Sequence, residues 1–163
     1  MTETDLHPVA SEILLYSALL LKFSNQALEE RLRACGESIS SLQHGILRML
    51  KVETLTISDI SQRMGLNPST LVRSVDVLER RGLARRGSDP QDRRRNPISI
   101  TERGRELVAA VPMISGEDLT SRALQSFGTE STTQLRDLLR WLISEFPEGK
   151  TVAELVSSQM DRP

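Results

Sequence analysis

Up to Gly82 the apolar residues recur three and four positions apart, the spacing of one helix face. From about residue 8 to residue 34 this predicts a helix of unusual character. Ile13, Leu14, Leu15, Tyr16, Ala18, Leu19, Leu20 and Leu21 point in every direction around a 3.6-residue wheel. A helix that is apolar all round has to be covered on more than one side. A partner subunit supplies that cover most simply, and a central place within one core is the alternative. A second helix is expected from Ser40, where Ser40-Ser41-Leu42-Gln43 has the Ser-x-x-Gln spacing of a capping box, and it continues through Ile46, Leu47 and Leu50. Thr56 to Gly65 reads as a short capped helix with Ile57, Ile60 and Met64 on one face. Asn67 and Pro68 open the next helix, as cap and first-turn proline. Leu71, Val75 and Leu78 form its core face, which leaves Ser69, Thr70, Arg73, Ser74 and Val77 outside, with Arg80 or Arg81 near the end. Gly82 is placed to supply a left-handed C-terminal cap.

After Gly82 the period changes. Leu83 to Arg86 and Asn96 to Thr101 read as two short strands, joined by a polar turn from Gly87 to Arg95. Pro97 suits an edge strand, where a missing amide costs least. Thr101 can cap a helix running from Glu102 towards Phe127, kinked or broken near Pro112 and Gly116. A further helix carries the stripe Leu135, Leu138, Leu139, Leu142, Ile143 and Phe146, and Pro147 and Gly149 stop it. Trp141 lies off that stripe, either exposed by chance or in contact with something outside the protomer. Val152, Leu155, Val156 and Met160 suggest one more short helix. The expected fold is mainly α with a small β-hairpin: a single domain over 1–163, with a lobe at 37–103 and a second helical region made of 8–34 with 104–160. There is no internal repeat and no low-complexity tract.

Composition narrows the classes. With 163 residues, one domain can bury about 70% of its unfolded surface. One Cys excludes an intramolecular disulfide framework and suits a reducing cytoplasm. Two His and one Cys cannot close a structural zinc site in one chain, and His7, Cys35 and His44 show no i, i+4 ligand spacing. The longest apolar stretch, Ile13 to Leu21, is shorter than the ~20 residues that span a bilayer and is preceded by Glu3, Asp5 and Glu12 with no Lys or Arg, so neither a membrane span nor a signal peptide is expected. The net charge of −1 argues against coating nucleic acid by bulk charge. Position changes that picture. Between Arg73 and Arg105 there are ten Arg against five acids, a balance of +5, while the rest carries 11 basic and 17 acidic residues, or −6.

Two short helices joined by a tight turn, the second Arg-bearing with one face free, followed at once by an Arg-rich hairpin, make a winged helix-turn-helix. The arrangement suits duplex DNA. A helix fits the ~12 Å major groove, and the ~6 Å minor groove attracts Arg on a thin extended element. Ser, Thr and Asn bond phosphates and base edges without carrying charge.

Residues Thr56 to Gly104 resemble the MarR family of transcriptional regulators. The resemblance is carried by Leu66-Asn67-Pro68-Ser69-Thr70-Leu71-Val72-Arg73, by Leu78-Glu79-Arg80-Arg81-Gly82-Leu83, by the wing Asp89-Pro90-Gln91-Asp92-Arg93-Arg94-Arg95, and by Ile98-Ser99-Ile100-Thr101-Glu102-Arg103-Gly104. Asp-x-Arg followed by Ile-x-Ile-Thr-x-x-Gly is its specific part. The layout of helices extends the likeness over about residues 8–147, and the tail from Glu148 lies outside the usual pattern. The resemblance implies a homodimer held by its first and last helices on a palindromic operator. It places Ser69, Thr70, Arg73 and Ser74 in the major groove and Arg94 in the minor groove, with Asp92 orienting Arg94 and with Arg93 and Arg95 on phosphates. It implies no resident cofactor, but an effector such as a small phenolic or other aromatic acid. Tyr16, Phe23 and His44 could line its pocket, although Tyr16 and Phe23 at helical spacing are more often core.

Other classes remain to be weighed. A redox sensor would use Cys35, with Arg31 and Arg33 nearby to lower its pKa, but a lone Cys is usually a small buried hydrophobe. A winged helix serving as a protein-interaction module would show exposed aromatics or aliphatics, whereas residues 69–95 contain no aromatic. For an enzyme there is no phosphate-cradling Gly loop and no His beside a nucleophile in a known motif.

Overall fold

The elements follow from their caps. In the computed structural model, which describes residues 3–88, 96–116, 118–147 and 149–160, eight helices and two strands are defined. Helix α1, Glu3–Ala34, begins earlier than its apolar pattern, so Pro8 falls inside it. Helix α2, Ser41–Val52, opens with the expected capping box: Ser40 Oγ accepts from Gln43 N–H, and the Gln43 side chain accepts from Ser40 N–H. Helix α3, Ile57–Met64, opens in the same way, with Asp59 answering Thr56, and ends at Gly65 with φ 62°. Helix α4, Pro68–Arg80, starts from the Asn67 cap, whose Oδ1 accepts from Ser69 N–H at 3.0 Å.

After α4 the chain reverses at Gly82, φ 67°, and forms β1, Ala84–Arg86, antiparallel to β2, Ile98–Ile100. The register pairs Ala84 with Ile100, Arg85 with Ser99 and Arg86 with Ile98. Here the structure corrects the expectation of an edge strand at Pro97. The far side of β2 is taken by Leu55, which exchanges both backbone hydrogen bonds with Ile98 at 2.7 and 3.1 Å. Pro97 is tolerated because the strand starts one residue later, so no ladder bond needs its amide. Its carbonyl accepts from Gly87 N–H at 2.7 Å.

Helix α5, Glu102–Ala110, is capped by Thr101 and ends before Pro112, so the long helix expected from Glu102 is broken rather than kinked. Helices α6, Leu119–Phe127, α7, Thr129–Ser144, and α8, Gly149–Met160, follow. The chain divides into two compact units, Met1–Leu119 and Thr120–Pro163. The whole winged helix-turn-helix lies in the first.

The core of the first unit is built from α2 (Ile46, Leu47, Leu50), α3 (Ile60), α4 (Leu71, Val75, Leu78), the strands (Ala84, Ile98, Ile100) and the end of α5. Helix α1 contributes only Leu28 and Leu32. Its earlier apolar residues, among them Ile13, Leu14, Leu15, Leu20 and Leu21, are exposed and lie outside that core. The stripe on α7 is likewise exposed at Leu138, Leu139, Leu142, Ile143 and Phe146, and so is Trp141.

Polar ties hold this core at three points. Arg31, near the end of α1, donates to the carbonyls of Pro112 and Met113 at 2.7 and 2.9 Å and lies 3.6 Å from Asp118. Glu37, buried after α1, pairs with Arg81 at 3.4 Å and with Arg103, and Arg103 also donates to the Arg81 carbonyl. His44, buried on α2, bonds the Val111 carbonyl through Nε2 at 2.8 Å.

Candidate nucleic-acid interface

The turn between α3 and α4 sets the angle at which α4 leaves the core. Gly65 takes the left-handed conformation, and Ser61 Oγ donates back to the Leu66 carbonyl at 2.6 Å, which pins the three residues between the helices. Leu71, Val75 and Leu78 are fully buried, as their spacing predicts, so the opposite side of α4 faces out. Ser69, Thr70, Val72, Arg73 and Arg80 are exposed there.

Two assignments change. Ser74 was expected outside, but it is buried and its hydroxyl donates to the Thr70 carbonyl at 3.1 Å. The reason is angular: position 74 is three residues after Leu71 and four before Leu78, so it falls within the core stripe whatever its polarity. It is therefore not available to the major groove. Val72, an apolar residue that periodicity alone did not single out, takes an outward place instead.

Charge on α4 is arranged by the hairpin. Helix α4 carries two acids, Asp76 and Glu79, which by themselves would repel phosphates. Arg86 on β1 spans both: it contacts Asp76 Oδ1 at 2.7 Å and Glu79 Oε2 more closely, and its backbone N–H donates to Glu79 Oε1 at 2.8 Å. The same side chain thus pairs with both acids, offsetting one of their two charges, and ties the strand to the helix. Arg81 and Arg103 are committed to Glu37, and Arg85 donates to Ser99 Oγ at 3.1 Å. Among the described residues Arg73 and Arg80 have no ion pair, which makes them the free cations of α4. Among the described residues the basic cluster is therefore two populations, one that holds the lobe together and one that is presented outward. Asp92, Arg93, Arg94 and Arg95 of the wing lie outside the described residues.

The residues considered for an effector pocket differ in burial. Tyr16 and Phe23 are exposed on α1, about three fifths accessible, and are not part of the core. The core meets α1 only near its C-terminal end, beyond both of them. His44 is buried, with its Nδ1 lacking a partner. Cys35 is exposed rather than buried. Its neighbouring guanidiniums are engaged elsewhere, Arg31 with the 112–113 carbonyls and Arg33 with the Glu29 carbonyl. Among the described residues no group of three or more His, Cys, Asp or Glu could hold a metal ion, and no helix is long and apolar enough to cross a membrane.

His44 has a consequence for pH. Burial pushes its imidazole below the ordinary value of 6.5; the Val111 hydrogen bond opposes this, and the charges of Arg48 and Arg31 add to it. Because the folded value is depressed, the unfolded chain takes up the proton first as pH falls. The stabilising contribution is complete above about pH 6.5 and is lost as pH falls below it. Thermal unfolding between pH 8 and 5 should show a drop in stability on the acid side. His44→Gln, which retains a donor for Val111 but does not titrate, should flatten that drop. An equal slope in both proteins would show that other groups cause it.

Comparison with known proteins agrees with this geometry. Residues 38–95 match the sequence model of the MarR family. No curated protein matches the chain. The transcriptional regulator BldR from Sulfolobus solfataricus is similar at 25% identity, over 90% of this chain and 100% of that one, with a TM-score of 0.67. A MarR-family transcriptional regulator from Rhodococcus sp. RHA1 is similar at 27% identity, over 82% and 93%, with a TM-score of 0.64. A single-residue mutant of MarR from E. coli, solved in complex with operator DNA, shares the fold at 18% identity, over 85% and 96%, with a TM-score of 0.71. The first two are described as transcriptional regulators. The polar outer face of α4, the strand pair packed against it and the match over residues 38–95 lead to one conclusion: this chain has a winged helix-turn-helix fold similar to that of MarR-family regulators.

Proposed function

We propose that this protein is a transcriptional regulator that binds a palindromic operator as a homodimer in the cytoplasm and represses until a small aromatic or phenolic effector releases it. The observation that carries the DNA-binding part is the outer face of α4, where Ser69, Thr70 and Arg73 stand clear while Arg86 engages both acids of the same helix in ion pairs. In this reading α4 enters the major groove and Arg94 of the wing enters the minor groove, oriented by Asp92, with Arg93 and Arg95 on phosphates. The homodimer is supported by the exposed apolar residues of α1 and of α7. Effector response rests on family likeness and on no pocket residue named above.

Selection of duplexes from a random library, followed by fluorescence anisotropy on the most enriched one, tests the proposal. The expected site is a palindrome with half-sites roughly 34–36 Å apart, one helical turn. Affinity is expected to fall linearly on a log–log plot against salt as counterions are released. Recovery of no duplex, or binding indifferent to salt, would overturn the DNA-binding reading. A monomeric mass at the protein concentration used would overturn the homodimer. A lack of release by any of a panel of aromatic acids would remove that effector class.

A further inference from the structure

Val72 sits on the outer face of α4 in polar company. Ser69 precedes it by three residues, Arg73 follows it, and Asp76 lies four residues on, tied to Arg86. It is 40% accessible and is not among the apolar side chains packed against the core. A single exposed Val is ordinary on a protein surface. At this place it has a cost, since a β-branched residue is a poorer helix former than the unbranched alternatives. It also occupies the middle of the face that the proposed function lays into the major groove.

The major-groove edge of DNA is polar at each base pair except for one feature, the C5-methyl of thymine. Ser, Thr and Arg on α4 can satisfy donors and acceptors; a Val can satisfy only that methyl. Its γ-methyls cannot bond a base edge, and set against the exocyclic amine of cytosine or adenine they would desolvate it without a partner. Resting on the DNA-binding reading above, we infer that Val72 is a specificity-determining residue that selects a thymine in each half-site by apolar contact with its C5-methyl.

The probe is the duplex most enriched by the purified full-length protein from a random library. Each thymidine is replaced in turn, symmetrically in both half-sites, by deoxyuridine, which removes the methyl and leaves base pairing intact. Losing one buried methyl contact is expected to weaken binding about three- to five-fold per half-site, so about nine- to twenty-five-fold for the symmetric replacement. One thymidine per half-site should show this effect with the unaltered protein. Val72→Ala, which favours the helix and keeps the fold, should bind the thymidine duplex more weakly and lose its sensitivity to deoxyuridine at that position alone. Circular dichroism and the oligomeric mass of the variant confirm that folding is unaffected. Equal sensitivity of both proteins at every thymidine, or none at any, would overturn the inference while leaving DNA binding intact. If no duplex is enriched at all, the DNA-binding reading fails and takes this inference with it.

Discussion

Gly104→Ala is expected to destabilise the protein by about 3 kcal/mol, which lowers the unfolding temperature by roughly 6–12 °C for a chain of this size. Helix propensity alone predicts the opposite sign, because Ala inside a helix is favoured over Gly by about 1 kcal/mol. Space decides the matter. Gly104 lies in the first turn of α5, and a Cβ there would stand 2.2 Å from the Leu83 carbonyl oxygen and 2.7 Å from Ile100 Cγ1. The obstructing oxygen is backbone and cannot swing aside. It accepts from Thr101 N–H at 3.1 Å, while Thr101 Oγ1 donates to the Gly82 carbonyl and accepts from Gly104 N–H. The first turn of α5 is thus clamped against the reversal that follows α4, and any shift that relieves the clash strains these bonds together. Gly116→Ala is the matched control. A Cβ at Gly116 meets nothing within 4 Å, so its effect should be within about 0.5 kcal/mol of zero. Calorimetry on the two variants would settle the point, and equal unfolding temperatures would refute the clamp.

Arg73→Ala is expected to weaken binding to the selected duplex by about ten- to a hundred-fold, with folding and oligomeric mass unchanged. Arg73 is exposed and without an ion pair among the described residues, so its removal leaves no buried charge behind. The form of the loss distinguishes two roles. If the guanidinium reads guanine O6 and N7, the variant should lose discrimination at one base pair per half-site. If it neutralises phosphate, binding should weaken uniformly across sequences and the salt slope should fall by about one per protomer. Arg85→Ala provides the contrast, because Arg85 is on β1 with its Nε bonded to Ser99. Affinity unchanged in Arg73→Ala would remove α4 from the interface.

Both predictions draw on the same motif stretches that made the family legible, and they show where legibility stopped. The caps at Ser40, Thr56, Asn67 and Thr101 could be read directly, since each is decided by a side chain within three residues of the amide it satisfies. The core stripe of α4 was legible for the same reason: successive positions turn by a fixed 100°. Ser74 shows the limit of reading by residue type. Its angle placed it inward, and its polarity suggested otherwise; the helix obeyed the angle, because the Thr70 carbonyl could satisfy the hydroxyl in place.

The Arg cluster divides along the same line. Its location and sign were plain from counting, but which arginines face out was not. Arg86 meets Asp76 ten residues away, and Arg103 meets Glu37 across 66. Leu55, a lone apolar residue between two threonines, gave no sign that it would complete the far side of β2. Local order on this chain follows from steric and hydrogen-bond rules that act within one turn, and the residues themselves carry those rules. The split of the arginines into structural ties and free cations follows instead from which distant carboxylates the packed helices bring within reach. That choice exists only once Leu71, Val75 and Leu78 have been buried and β1 has been folded back against α4.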